Sequence, residues 1–132
     1  MKNNLLWIAV LAVAAIFFIY KFFLSGSSEF SVDSEKFEEL TKEKDVVVLD
    51  VRSAFEFGGD KIAGAQNMSY SASDFKERAG KLDKEKTYLV YCATGSRSSG
   101  ACSYLKSAGF THIYNLKGGI EHWKSAGKPV VR

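Results

Sequence analysis

Leu5 to Tyr20 is an unbroken run of sixteen apolar residues. Lys21 interrupts it, and Phe22, Phe23 and Leu24 follow. As a helix, Leu5 to Leu24 rises by roughly 30 Å at ~1.5 Å per residue, the depth of one hydrocarbon core. Lys21 sits near one end, where its long stem reaches back to the interface. Trp7 and Tyr20 stand where interfacial aromatics belong. The pattern predicts an uncleaved transmembrane anchor over residues 1–24. A cleaved signal peptide competes with it, and Ser25-Gly26-Ser27 would offer a peptidase small residues. The run exceeds the ~7–15 apolar residues of a signal core, however. A buried core helix fits poorly, because it is apolar on every face and the remaining domain is small. Ser25 to Ser28 reads as a short flexible linker.

From residue 29 the pattern changes. Asp33 or Ser34 caps a predicted helix that runs to about Thr41, with Glu35, Glu38 and Glu39 near its positive end. Val46 to Leu49 is a short, continuously apolar, β-branched run, which suits a strand buried on both faces. A helix follows from Ser71 or Ser73 to about Leu82. Thr87 to Tyr91 and Ile113 to Leu116 are two further buried strands. Ser98 to Ala108 is helical and stops at Gly109. Gly118-Gly119 breaks the chain, and Ile120 to Ser125 forms a last helix, ended by Gly127 and Pro129. Strands alternate with helices, which predicts a parallel α/β sheet with helices on both faces. Ligands of such sheets bind at the carboxyl ends of the strands.

Charge and cysteine content narrow the function. The 132 residues hold 18 Lys and Arg against 15 Asp and Glu. Two of the positives, Lys2 and Lys21, flank the apolar run, so the domain itself is near neutral. It has no broad basic face for nucleic acid. Two cysteines are too few for a disulfide framework, and two poorly spaced histidines speak against a zinc site. An apolar fraction of 46% excludes wholesale disorder. The charges flanking the anchor are nearly balanced. A short N-terminal tail with Lys2 and no acid leans toward a cytoplasmic N-terminus and an extracytoplasmic domain.

The chemistry gathers after the second long strand. Thr87 to Tyr91 runs straight into Cys92-Ala93-Thr94-Gly95-Ser96-Arg97-Ser98, and a helix begins there. Small residues in such a loop let successive backbone N–H groups turn inward and form an anion-binding concavity. The same field lowers the pKa of a thiol at its centre. Arg97 adds a permanent forked cation suited to oxyanions. Cys92 is therefore the predicted nucleophile, with residues 93–97 and Arg97 facing an anionic substrate. Asp50 and Arg52 follow a strand at its functional edge, as a structural ion pair or as support for the pocket. Cys102 sits mid-helix and reads as core, with service as a resolving thiol the lesser alternative. Trp123 also reads as core, and His112 and His122 as surface. Four residues separate Cys92 from Arg97, one fewer than in the C-x5-R loop of cysteine phosphatases. A tighter loop favours attack on a sulfane sulfur over a tetrahedral phosphoryl group.

Four stretches resemble the rhodanese family, a group of sulfurtransferase modules. Val48 to Arg52 resembles its strand ending in D-V-R. Cys92 to Ser98 resembles its active loop, C-x-x-G-x-R-S. Ile62 to Asn67 is similar to I-x-G-A-x-N. Leu116 to Trp123, with Gly127 and Pro129, is similar to L-x-G-G-x-x-x-W…G-x-P. One departure is visible: Asp60-Lys61-Ile62 stands where the family often has G-H-I, so Lys61 replaces a common histidine. The resemblance implies a sheet of about five parallel strands over residues 29–132. It implies transfer of sulfane sulfur through a persulfide on Cys92, from thiosulfate or another persulfide to a thiol or protein acceptor, with no cofactor. A phosphatase or arsenate reductase using the same loop, and a non-catalytic membrane-tethered module, are the alternatives.

Overall fold

The computed structural model describes residues 2–25 and 29–132. Gly26 to Ser28, most of the expected linker, lie outside the described residues. The first helix, α1 (Lys2–Ser25), contains the apolar run. Asn4–Lys21 is long and apolar enough to cross a membrane, and none of it is buried against the rest of the chain.

The domain then alternates strand and helix. Its elements are β1 (Ser31–Val32), α2 (Ser34–Leu40), β2 (Val46–Asp50), α3 (Ala54–Phe57), β3 (Gln66–Asn67), α4 (Phe75–Gly80), β4 (Thr87–Tyr91), α5 (Ser96–Ser107), β5 (Ile113–Leu116) and α6 (Gly119–Ser125). The strands form one sheet in the order β1-β5-β4-β2-β3, and every pairing is parallel. This is the predicted architecture. β1, α3 and β3 were not among the predicted elements. With two, four and two residues, they are too short to show a period. The helix expected from Ser98 begins two residues earlier, at Ser96. The one expected from Ser71 or Ser73 begins at Phe75.

The apolar strands are buried on both sides because side chains alternate across the pleat. Leu49, Val51, Tyr88 and Val90 pack toward Phe75 and Ala79 of α4 and Ala101, Cys102 and Leu105 of α5. Val48, Leu89, Tyr91 and Leu116 pack toward Phe37 and Leu40 of α2 and Ile120 and Trp123 of α6. Phe37 meets the Trp123 ring edge-on at 5.9 Å and Tyr91 at 6.5 Å. Side chains of this size contribute about 1.5–3 kcal/mol each when buried.

The connections position the site. β2 leads through α3 to β3 on one side, and β4 leads through α5 to β5 on the other. Neighbouring strands that exit in opposite directions leave a crevice at their carboxyl ends, where ligands of open α/β sheets bind. Asp50 ends β2 and Cys92 follows β4, so both flank that crevice.

Candidate active site

Cys92 lies at the floor of the β4–α5 loop with no exposed surface. Its Sγ accepts hydrogen bonds from the Gly95 N–H at 3.1 Å, the Ser98 N–H at 3.4 Å and the Ser98 hydroxyl at 3.3 Å. Burial pushes the thiol pKa up, but the bonds from Ser98, Gly95 and Thr94 outweigh it, and the net direction is down. The amides lie in the loop and first turn of α5, so the helix dipole adds to the same field. Cys102 is the contrast: it is fully buried, and burial pushes its thiol up to about 12.

Two glycines shape the loop. Gly95 has φ 105°, a left-handed turn that aims its N–H at the sulfur. Gly119 lies against the loop from behind: a Cβ there would sit 2.3 Å from the Ala93 carbonyl oxygen and 2.6 Å from that of Cys92. Those two carbonyls accept instead from the first turn of α6, Cys92 from Ile120 N–H at 2.9 Å and Ala93 from Glu121 N–H at 3.1 Å. With its carbonyls held outward, the loop turns its N–H groups inward. The Gly118-Gly119 pair therefore buttresses the loop as well as turning the chain.

Ser98 extends the site into the interior. Its hydroxyl also lies 2.6 Å from Asn115 Oδ1 and 3.1 Å from the Gly95 carbonyl. Asn115 is buried in β5, a polar residue among apolar strand neighbours. Sequence reasoning placed Ser98 in the loop motif without giving it a role, and did not single out Asn115. A hydroxyl six residues past the thiol at a helix start, and a lone amide inside Ile113 to Leu116, were the available signals.

Arg97 projects from the first turn of α5 and is bidentate with Glu56 of α3, at 2.8 and 3.0 Å. Arg97 holds the Glu56 carboxyl at about 2, well below its ordinary value, and Glu56 raises Arg97 in turn. Glu56 also closes a capping box with Ser53, the N-cap of α3. The sequence signal missed here is S-x-x-E at residues 53–56.

Asp50 and Arg52 form a buried ion pair beside the crevice, with Nη2 to Oδ2 at 2.7 Å. Asp50 also accepts the Arg52 N–H at 2.8 Å, and Arg52 Nη2 donates to the Asp60 carbonyl at 2.7 Å. The Arg52 guanidinium stacks 5.7 Å from the Tyr91 ring. These contacts tie the chain after β2 to the approach to β3. Lys61, where the resembled family often has histidine, places its ammonium 4.4 Å from the Phe57 ring and pairs through its backbone with Val131. Trp123 is buried and donates to the Pro129 carbonyl at 2.8 Å, while His112 and His122 are exposed. Among the described residues no cluster of His, Cys, Asp and Glu is arranged to hold a metal.

Comparison with known proteins fits this geometry. The family model for the rhodanese-like domain matches residues 33–126, from the cap of α2 to the end of α6. The chain belongs to the rhodanese-like domain family. A thiosulfate sulfurtransferase GlpE of Coxiella burnetii is 39% identical to this rhodanese-like chain over 87 residues, covering 66% of it and 79% of the relative. A sulfurtransferase of Allochromatium vinosum is 32% identical over 101 residues, covering 76% and 92%. The crystal structure of a rhodanese-related protein from Thermoplasma volcanium superposes with a TM-score of 0.68 at 36% identity, covering 76% of this chain and 96% of that one.

Proposed function

We propose that this rhodanese-like chain is a sulfurtransferase working through a persulfide on Cys92. One observation carries the reading: the Cys92 sulfur sits beneath converging donors from Gly95 and Ser98, 3.1–3.4 Å away. Donors placed this way stabilise a thiolate, and afterwards the negative terminal sulfur of a persulfide, as an oxyanion hole stabilises oxygen. The sulfurtransferase relatives support the same reaction class.

In this scheme the Cys92 thiolate attacks the outer sulfur of thiosulfate. A sulfur–sulfur bond forms at Cys92, the donor's own bond breaks, and its electron pair leaves with sulfite. A thiophilic acceptor then takes the outer sulfur and restores the thiolate. Cyanide serves in an assay, and a thiol or partner protein in the cell. Arg97 binds the donor's oxyanion, and the amides of residues 93–97 hold the transferred sulfur. The Asp50–Arg52 pair supports the pocket by fixing the wall formed after β2. No cofactor takes part. Helix α1 tethers the domain to a membrane.

Thiosulfate and cyanide should yield thiocyanate, and Cys92→Ser should abolish it. Intact mass after donor treatment should rise by one sulfur atom on Cys92. Phosphate release from an aryl phosphate would instead place the loop with the cysteine phosphatases. A chain that forms no persulfide and whose membrane phenotype survives Cys92→Ala would be a binding module.

A further inference from the structure

The mechanism assigns Arg97 to the donor, yet in the structure that guanidinium already holds an anion. Glu56 takes it in a bidentate pair, at 2.8 and 3.0 Å, and each side chain is 33% exposed. The pair bridges the two walls of the crevice, because Glu56 lies on α3 after β2 and Arg97 on α5 after β4. Cys92 below has no exposed surface. Glu56 is itself anchored: its Oε1 accepts from the Ser53 N–H at 3.2 Å and the Ser53 hydroxyl at 3.0 Å. It is not a loose carboxylate that leaves whenever a ligand arrives.

We infer that Glu56 is a specificity-determining residue, an internal anion that competes with the donor for Arg97 and biases the site against dianionic donors. This rests on the sulfurtransferase reading of the same site. A dianion such as thiosulfate must displace the carboxylate from the guanidinium or share it, and in both cases two like charges approach each other. A small alkyl persulfide has no sulfonate for Arg97 to hold and at most one negative charge, so it meets far less of this opposition. The chemical step is the same for both. Cys92 bonds to the outer sulfur, the donor's sulfur–sulfur bond breaks, and sulfite or a thiolate leaves with the electron pair. No outside oxidant or reductant enters.

Glu56→Gln isolates the charge, because glutamine also serves as the third residue of a capping box. Single-turnover persulfide formation on Cys92 of the full chain would be followed by intact mass at subsaturating donor. In E56Q the second-order rate constant for thiosulfate should rise about two- to five-fold, the range set by one partly exposed ion pair. The constant for the alkyl persulfide should change much less. Ser53→Ala, which loosens the carboxylate and keeps its charge, should shift the ratio of the two constants much less than E56Q does. An equal change for both donors in E56Q would overturn the inference while leaving the sulfurtransferase reading intact, as would a ratio shifted equally by S53A. Failure of the wild-type chain to form a Cys92 persulfide from either donor would overturn the sulfurtransferase reading itself.

Discussion

At the scale of single residues, the site is a contest for one proton. The Ser98 hydroxyl has one hydrogen and three acceptors within 3.3 Å: Cys92 Sγ, the Gly95 carbonyl and Asn115 Oδ1. An ionised sulfur is the strongest of these, since charge-assisted bonds are roughly twice as strong as neutral ones. Ser98→Ala removes that donor and leaves the Gly95 and Ser98 amides in place. The Cys92 pKa should then rise, because the ionised sulfur loses one of its hydrogen bonds. Ultraviolet thiolate absorbance against pH, with Cys92→Ser as background, reads the midpoint directly. The acid limb of the persulfide-formation rate should move upward with it. An unmoved midpoint would mean that the backbone amides alone hold the thiolate. Arg97→Ala tests the other charge. It removes the anion's partner and leaves the Glu56 carboxylate facing the donor, so the thiosulfate rate constant should fall about tenfold. An alkyl persulfide should lose much less, and equal losses would contradict an anion-binding role.

At the scale of elements, the loop is held by what packs behind it. Gly119→Ala drives a methyl into the Cys92 and Ala93 carbonyls and demands φ +65° of a residue with a side chain. It should cost about 2 kcal/mol or more in urea unfolding and raise the Cys92 pKa, because the loop amides lose their aim. Gly80→Ala is the contrasting case. No heavy atom lies within 4 Å of its added methyl and its backbone is not left-handed, so it should stabilise by about 0.4–1 kcal/mol. The Glu56–Arg97 pair links α3 to α5, and its pH dependence has a definite sign. Glu56 titrates at about 2 in the folded chain against an ordinary 4.5, so its stabilisation is complete above 4.5 and is lost as pH falls through about 2. The melting-temperature gap between wild type and Glu56→Gln should therefore narrow across that window. The same scale shows which parts of the molecule were legible from sequence. β2, β4 and β5 are largely apolar because both faces of the sheet are covered, and that pattern reads directly. The loop from Cys92 reads because thiol, glycine and arginine sit within six residues. Glu56 and Asn115 did not read. Glu56 acts on a residue 41 positions away, and Asn115 lies 17 from Ser98. Only the parallel register of β4 against its neighbours brings such pairs together, and no local pattern encodes it.

At the scale of the whole molecule, helix α1 and the domain are built apart. The domain's cores are built from residues of 30–130, and the side chains of Asn4–Lys21 contribute nothing to them. The proposed membrane tether would give this uncovered apolar helix lipid to bury in, worth about 1.5–3 kcal/mol for each exposed leucine or phenylalanine. The full chain should therefore sediment with membranes and resist alkaline carbonate, and detergent should release it. A chain starting at Glu29 should be soluble and unfold cooperatively, with the same rate of persulfide formation, because it keeps Phe30 and Ser31, which hydrogen-bond Asn115, and none of the residues placed around Cys92 precedes them. A truncated domain that loses its melting transition would show that α1 packs on the domain after all. The flanking charges are nearly balanced, Lys2 on one side and Lys21 on the other, and we propose the orientation with a cytoplasmic N-terminus and Cys92 outside the cytoplasm. Protease added to intact cells should then cleave the domain, and a domain degraded only after lysis would place it inside. The answer selects the sulfur chemistry available to the site. An oxidising compartment keeps few free thiols to act as acceptors, so an extracytoplasmic Cys92 would have to deliver its sulfur to a thiol that the compartment actively keeps reduced.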